Sequence, residues 1–181
     1  VDRRDGFELL LGLGLLAGAA WATEVLVTRL VESAAEASAI NAMIPPAAEA
    51  LRTLRDALAQ AGIMTRVGST RRTAAEQAAA LASGHSSTSH SWHLLGRAVD
   101  LYPFDPLTGQ PDMDGRNDGL FQQMHAIASS LGWTGLAYNA DGTRRLLTNA
   151  AGQKYWDGGH LQWTEGMTFA DAQEADAEKY A

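Results

Sequence analysis

The chain has 181 residues, enough for one domain with a buried core. It carries 21 acidic against 14 basic residues, a formal charge of −7, and no Lys- or Arg-rich stripe, which argues against a nucleic-acid partner held through phosphates. Cysteine is absent, so a disulfide scaffold, a thiolate nucleophile and a Cys-ligated zinc are excluded, and any metal must rest on His and carboxylate.

The first segment, FELLLGLGLLAGAAWATEVLVTRL from Phe7, is apolar without interruption between Leu9 and Thr23. That run is shorter than the roughly 20 residues of a membrane-spanning helix, and extending it means accepting Glu24. Residues 1–37 therefore read as an apolar helix with three open uses: a membrane anchor, a surface docked on a protein partner, or a helix packed on its own domain. Residues 38–181 read as the main domain.

Within that domain PPAAEALRTLRDALAQAG, 45–62, opens on prolines, repeats Leu51, Leu54 and Leu58, and stops at Gly62, which predicts an amphipathic helix. IMTRVG, 63–68, reads as a short strand. TAAEQAAALASG, 73–84, has Thr73 and Glu76 at capping-box spacing and closes on Gly84, a second helix. RAVDLYPF, 97–104, is a strand. The polar loop after it holds Asp112, Asp114 and Asp118, but not at the alternate positions of an EF-hand; the preferred reading is a loop whose Asp118 caps the next helix. That helix presents Leu120, Met124, Ile127 and Leu131 and ends at Gly132. Residues 143–163 read as a hairpin or loop ending in a strand, and the acidic tail ADAQEADAEKYA as a solvated helix or frayed end.

Chemistry concentrates around the histidines. His125 lies within the third helix and reads as structural, while His85 and His90 fall in a Gly/Ser-rich loop. His93 precedes LLGRAVD, in which Asp100 stands in an apolar strand where an unpaired carboxylate is costly. His93 can reach it across a turn, and by itself the pair fits a structural contact as well as a metal site. YWDGGHLQW adds Asp157 and His160 at the mouth of another apolar strand. Two His, one carboxylate and an open fourth position suit a catalytic zinc, and a further carboxylate beside the bound water, placed as Asp157 is, suits a general base.

These segments carry a family resemblance. Ser91, His93, Gly96, Ala98 and Asp100 fit the SxHxxGxAxD motif of the zinc D,D-carboxypeptidases and L-alanyl-D-glutamate endopeptidases that cut peptidoglycan stem peptides. Asp157 and His160 resemble the DxxH element of the phage endolysin branch, and GSTRRTAAEQAAAL, 68–81, is similar to the SGYRTxxEQ stretch. The resemblance spans about residues 44–163. It implies an α+β fold with a small antiparallel sheet and flanking helices, shared with VanX-type dipeptidases and the hedgehog signalling domain. It further implies Zn2+ on His93, Asp100 and His160, with Asp157 as base and Arg72 stabilising the oxyanion. Ser91, Ser87 and His90 are candidates for holding a substrate carboxylate or orienting a ligand, and Trp92, Trp156 and Trp163 for lining the cleft. The sequence departs from the pattern at Thr70-Arg71, where the motif has Gly-Tyr, and at LGWTGLAYN, 131–139, where a Trp-Gly-Gly is usual.

The expected activity is hydrolysis of an amide bond in a peptidoglycan stem peptide, as an endolysin-like L-Ala-D-Glu endopeptidase. A D,D-carboxypeptidase releasing D-Ala, and a non-catalytic zinc module of a phage-like particle or envelope complex, are the alternatives. The expected setting is the cell envelope or periplasmic side of a bacterium, or such a particle.

Overall fold

The computed structural model describes residues 33–105, 107–149 and 151–180; the apolar stretch at 7–31 lies outside them. Residues 34–181 form one compact unit, and the first described helix begins at Ala34, ahead of the boundary read at Ser38. Among the described residues, five helices and six strands follow in the order α1 (Ala34–Asn41), α2 (Pro45–Gln60), β1 (Thr65–Ser69), α3 (Ala74–Ala82), β2 (Ala98–Pro103), α4 (Asp118–Ser130), β3 (Thr134–Gly135), β4 (Leu146–Thr148), β5 (Lys154–Trp156), β6 (His160–Gln162) and α5 (Phe169–Tyr180). No helix among the described residues is long and apolar enough to cross a membrane.

The main sheet is antiparallel throughout, in the order β1-β2-β6-β3, and β4 with β5 forms a separate hairpin. Alternation along β2 and β6 decides what each face does. Val99, Leu101 and Leu161 turn into the core, all fully buried. They meet Leu51, Leu54 and Leu58 of α2 and Phe121, Met124 and Ala128 of α4. Asp100, Tyr102 and His160 take the opposite face, and the register puts Asp100 directly across from His160. Two apolar helices on one face thus leave the other free for polar chemistry.

The local signals account for the helices. Pro45 and Pro46 fill the first helical positions of α2, where a missing N–H costs nothing, and Gly62 at φ +80° stops it. The Thr73–Glu76 capping box starts α3 in both directions: Glu76 N donates to Thr73 Oγ1 at 3.2 Å and Thr73 N to Glu76 Oε2 at 2.7 Å.

Three expectations need correction. Asp118 does not cap α4: Asn117 holds the cap position without a side-chain bond. The Asp118 carboxylate instead accepts from Arg144 Nε at 2.7 Å and the Tyr138 hydroxyl at 2.9 Å. The loop is closed by Asp112, which accepts from the backbone N–H groups of Arg116 and Asn117 at 2.9 and 2.7 Å. The buried stripe of α4 is Phe121, Met124 and Ala128, with Leu120, Ile127 and Leu131 packed at its margin. The acidic tail is a docked helix: Asp176 of α5 is buried and accepts from Arg97 Nε and Nη2 at 2.7 and 2.9 Å.

Candidate metal centre

The turn between α3 and β2 places the first donor. Ser91 Oγ accepts from His93 N, and Gly96 N donates to the His93 carbonyl at 3.1 Å, which wraps the chain tightly around the imidazole. Gly96 has φ +67°, and a Cβ there would come within 3.1 Å of Ile44 N, so both conformation and space call for glycine. The backbone N–H of Arg72 donates to the same His93 carbonyl at 2.9 Å, stitching the turn to the segment after β1.

Three donor atoms converge on one point. His93 Nε2 lies 3.2 Å from Asp100 Oδ1 and 3.3 Å from His160 Nδ1, and His160 Nδ1 lies 3.4 Å from Asp100 Oδ1. All three residues are buried, and theirs is the single such grouping among the described residues. Tetrahedral zinc with bonds of about 2.0–2.1 Å requires ligand atoms about 3.3–3.4 Å apart. The triangle fits that edge on every side.

The remaining ring nitrogens fix the tautomers. His93 Nδ1 faces the Thr70 carbonyl and His160 Nε2 faces Gln162 Oε1 at 3.4 Å, so each of these donates its proton outward. Two imidazole lone pairs and a carboxylate oxygen then point at each other, an arrangement that demands positive charge between them. Without an ion, the same spot attracts protons instead. Burial works against a charged His160 ring, but the Asp100 and Asp157 carboxylates outweigh it and raise its pKa. Burial likewise opposes a charged Asp100, yet when no ion is bound, protons on the facing His160 and His93 nitrogens take the cation's place and hold that carboxyl far below its ordinary range. The donor set and spacing fit a zinc ion.

Arg72 supports the carboxylate from behind. Its Nη2 donates to Asp100 Oδ2 at 2.8 Å and its Nε to Ser69 Oγ at 3.2 Å, leaving Oδ1 for the centre of the triangle. A β-bulge at Gly68 makes this possible, because it shifts the register so that Ser69 rather than Gly68 stands against Asp100. Gln77 Nε2 donates to Ser86 Oγ at 2.8 Å and the Thr88 carbonyl at 2.7 Å, so the helix glutamine shapes the loop that leads into the metal turn.

Asp157 comes to the edge of the same cluster without being one of the three donors. Its carboxyl pKa is raised, first by burial and then by the Asp100 charge, against the pull of His160, His93 and Arg72. Ser91 is buried beneath His93, whereas Ser87 and His90 are exposed on the loop. The His90 ring meets Phe169 edge-on, with centroids 5.6 Å apart. Trp92 packs against the same phenylalanine, Trp156 packs on Phe121, and Trp163 packs on Trp133.

Two further residues organise this centre: His125, read from the sequence as structural, and Tyr102, which the sequence did not single out. His125 donates from Nε2 to the Gly158 carbonyl at 2.8 Å, pinning the turn between Asp157 and His160 to α4. Burial lowers its pKa, which keeps the ring neutral. A Cβ on Gly135 would sit 2.1 Å from His125 Nδ1, so β3 is glycine where the ring passes. Tyr102 is the second. Its ring fills the space over Gly68 on one side and Gly159 on the other, where added Cβ atoms would meet it at 2.6 and 2.8 Å. Burial, with the charges of Asp100 and Asp157, pushes its phenol up to about 12. The available signal was period two: Tyr102 stands two residues beyond Asp100 and shares its face.

No family model matches the chain, and no curated protein matches it. Among solved structures it is similar to the Serratia marcescens L-Ala D-Glu endopeptidase ChiX, with 19% identity over 80% of this chain and 95% of that one, at TM-score 0.51. It is also similar to a vancomycin-resistance D,D-pentapeptidase VanY in complex with Zn(II), with 17% identity over 73% and 76% of the two chains, TM-score 0.45. A third is the LdcB LD-carboxypeptidase, with 15% identity over 73% and 68%, TM-score 0.45. At these identities the likeness is one of fold, and the chain has the α+β peptidase fold seen in ChiX.

Proposed function

We propose that this protein is a zinc peptidase that hydrolyses an amide bond in peptidoglycan stem peptides, with His93, Asp100 and His160 as metal ligands. The observation that carries the reading is the 3.2, 3.3 and 3.4 Å triangle of His93, Asp100 and His160 donor atoms with a second acid, Asp157, left beside it. A zinc ion bound there supplies a lowered pKa to an attacking water and polarises the scissile carbonyl. Asp157 takes the proton from that water on a carboxylate oxygen and passes it to the departing amine nitrogen. Its raised pKa suits the second transfer, since the acid form is less reluctant to persist in a buried site.

Arg72 fixes Asp100 through Oδ2 and is itself held by Ser69 Oγ and Gln77 Oε1, so its positive charge stands beside the site, where it would stabilise a developing oxyanion. Ser91 orders the His93 turn. The finer proposal is an internal L-Ala-D-Glu bond rather than a terminal D-Ala, and what supports it is the resemblance of Asp157 and His160 to the DxxH element. Such chemistry belongs at the bacterial cell envelope, and an endolysin-like role, with the apolar stretch 7–31 contacting a membrane or protein partner, is the finer form of the same proposal.

The test is a digest of purified peptidoglycan by the full chain before and after chelation. The reading expects L-Ala and a D-Glu-terminated peptide as new ends, loss of both on chelation, and recovery with stoichiometric zinc. Release of D-Ala alone identifies the carboxypeptidase instead, and no release from a zinc-loaded chain rejects catalysis.

A further inference from the structure

Next to the metal centre lies a cavity of about 700 Å³, within the range that holds drug-sized or short-peptide ligands. None of His93, Asp100 or His160 lines it; it meets the centre through Arg72, which faces both. Its floor is aliphatic, at Leu94 and Leu95, and its far wall is α5, through Phe169 and Gln173. The polar lining includes Arg71, Arg72 and His90 and has no carboxylate. In a chain with 21 acidic and 14 basic residues, a cavity whose formal charges are two arginines and no carboxylate stands out.

Arg71 is the uncommitted charge. Arg72 is spent on Asp100, but no ion pair or hydrogen bond within the described residues engages the Arg71 guanidinium. The acids that come near it are occupied elsewhere. Glu76 is turned onto Thr73 N and Oγ1, at 2.7 and 2.9 Å. Asp176, which borders the adjoining smaller cavity together with Arg71, has both oxygens on Arg97. The Arg71 side chain is exposed, and its Cδ passes close to Gly96, so the stem runs along the metal turn while its head remains available. His90 and Ser89 add donors on the opposite side of the opening.

We propose that Arg71, with His90 and Ser89, forms a subsite for the carboxylate of an acidic residue flanking the scissile bond. An arginine fork suits a carboxylate bidentately, and the adjoining leucines suit the short aliphatic stem of a glutamate-like residue. Arg71 and Arg72 line the same cavity, and Arg72 also holds Asp100, so a group on Arg71 lies next to the metal centre. This inference rests on the peptidase reading for its substrate, but its test does not depend on turnover.

The full chain carrying Asp157→Ala and loaded with zinc is titrated calorimetrically with two synthetic stem peptides, one with a free α-carboxylate on its D-Glu and one with that group amidated. The carboxylate peptide should bind about tenfold tighter, as expected for one charge-assisted pair. Adding Arg71→Gln should erase the difference, and Arg71→Lys should restore part of it, with zinc content unchanged in each. Equal binding of the two peptides, no binding of either, or a preference that survives Arg71→Gln overturns the subsite. If the preference behaves as stated while the unsubstituted chain cleaves neither peptide, the subsite stands and the hydrolytic reading fails.

Discussion

Asp157 and His93 stand sixty-four positions apart, and the account gives them different jobs that single substitutions separate. Asp157→Asn should keep zinc at one equivalent while kcat for stem-peptide cleavage falls on the order of 10²- to 10⁴-fold, the usual contribution of a positioned acid–base group. His93→Ala should lose zinc and activity together, by metal analysis and the same assay. Gly135→Ala tests the support behind the base. Its new methyl group meets His125, and stability should drop by about 1–3 kcal/mol in urea unfolding, as overpacking against a fixed ring does. Asp112 bears on pH. Burial raises its pKa, but backbone N–H bonds from Asn117, Arg116 and Gly115 prevail and leave it lowered. The folded value therefore lies below the unfolded one near 4, so the stability it contributes is complete above about pH 4 and is lost as pH falls through the folded value. Asp112→Asn should lower unfolding free energy at pH 7 and flatten its decline on acidification. An unaltered acid limb in the variant contradicts this assignment.

The elements show which signals a sequence carries. Prolines at 45 and 46, the Thr73–Glu76 box and Gly62 are local devices, and α2 and α3 formed where those devices put them. The apolar face of α4 drifted because Phe121 and Ala128 are chosen by the sheet they meet, which helical spacing alone does not reveal. β3, two residues long, and the docking of α5 were invisible for the same reason: both depend on partners distant in the chain. Arg97 entered the sequence reading only as the first residue of the RAVDLYPF strand, yet it is buried and tied to Asp176, 79 residues later, and to Glu165 at 2.8 Å. Asp176→Ala should cost about 3 kcal/mol, the low end for breaking a buried pair because Glu165 still faces the guanidinium. Replacing both Arg97 and Asp176 by apolar residues of similar volume should recover most of that loss, measured by the same unfolding curves. Failure of the double variant to recover would assign the cost to α5 packing rather than to a stranded charge.

Across the whole domain, one antiparallel sheet divides the labour: its inner face holds the helices, and its outer face brings residues 93, 100 and 160 together. The grouping of His93, Asp100 and His160 was legible because His and Asp stand out in apolar strands and because three motifs occur in the order the resemblance requires. The groups that orient these side chains, the Thr70 carbonyl and the Gln162 amide, were not, and His125 was legible as structural but not as the tie to Gly158, since such partners become informative only once the chain is folded. Metal should matter to the fold as well as to catalysis, for the facing lone pairs repel until a cation joins them. Chelation should lower Tm, and added zinc should raise it in proportion to the logarithm of its free concentration. The most direct measurement is anomalous diffraction at the zinc edge from crystals of the zinc-loaded protein. The account predicts one strong peak about 2.0–2.2 Å from His93 Nε2, His160 Nδ1 and Asp100 Oδ1, with Asp157 outside bonding distance. A crystal with no peak at that position, or with zinc bound through other atoms, would contradict it.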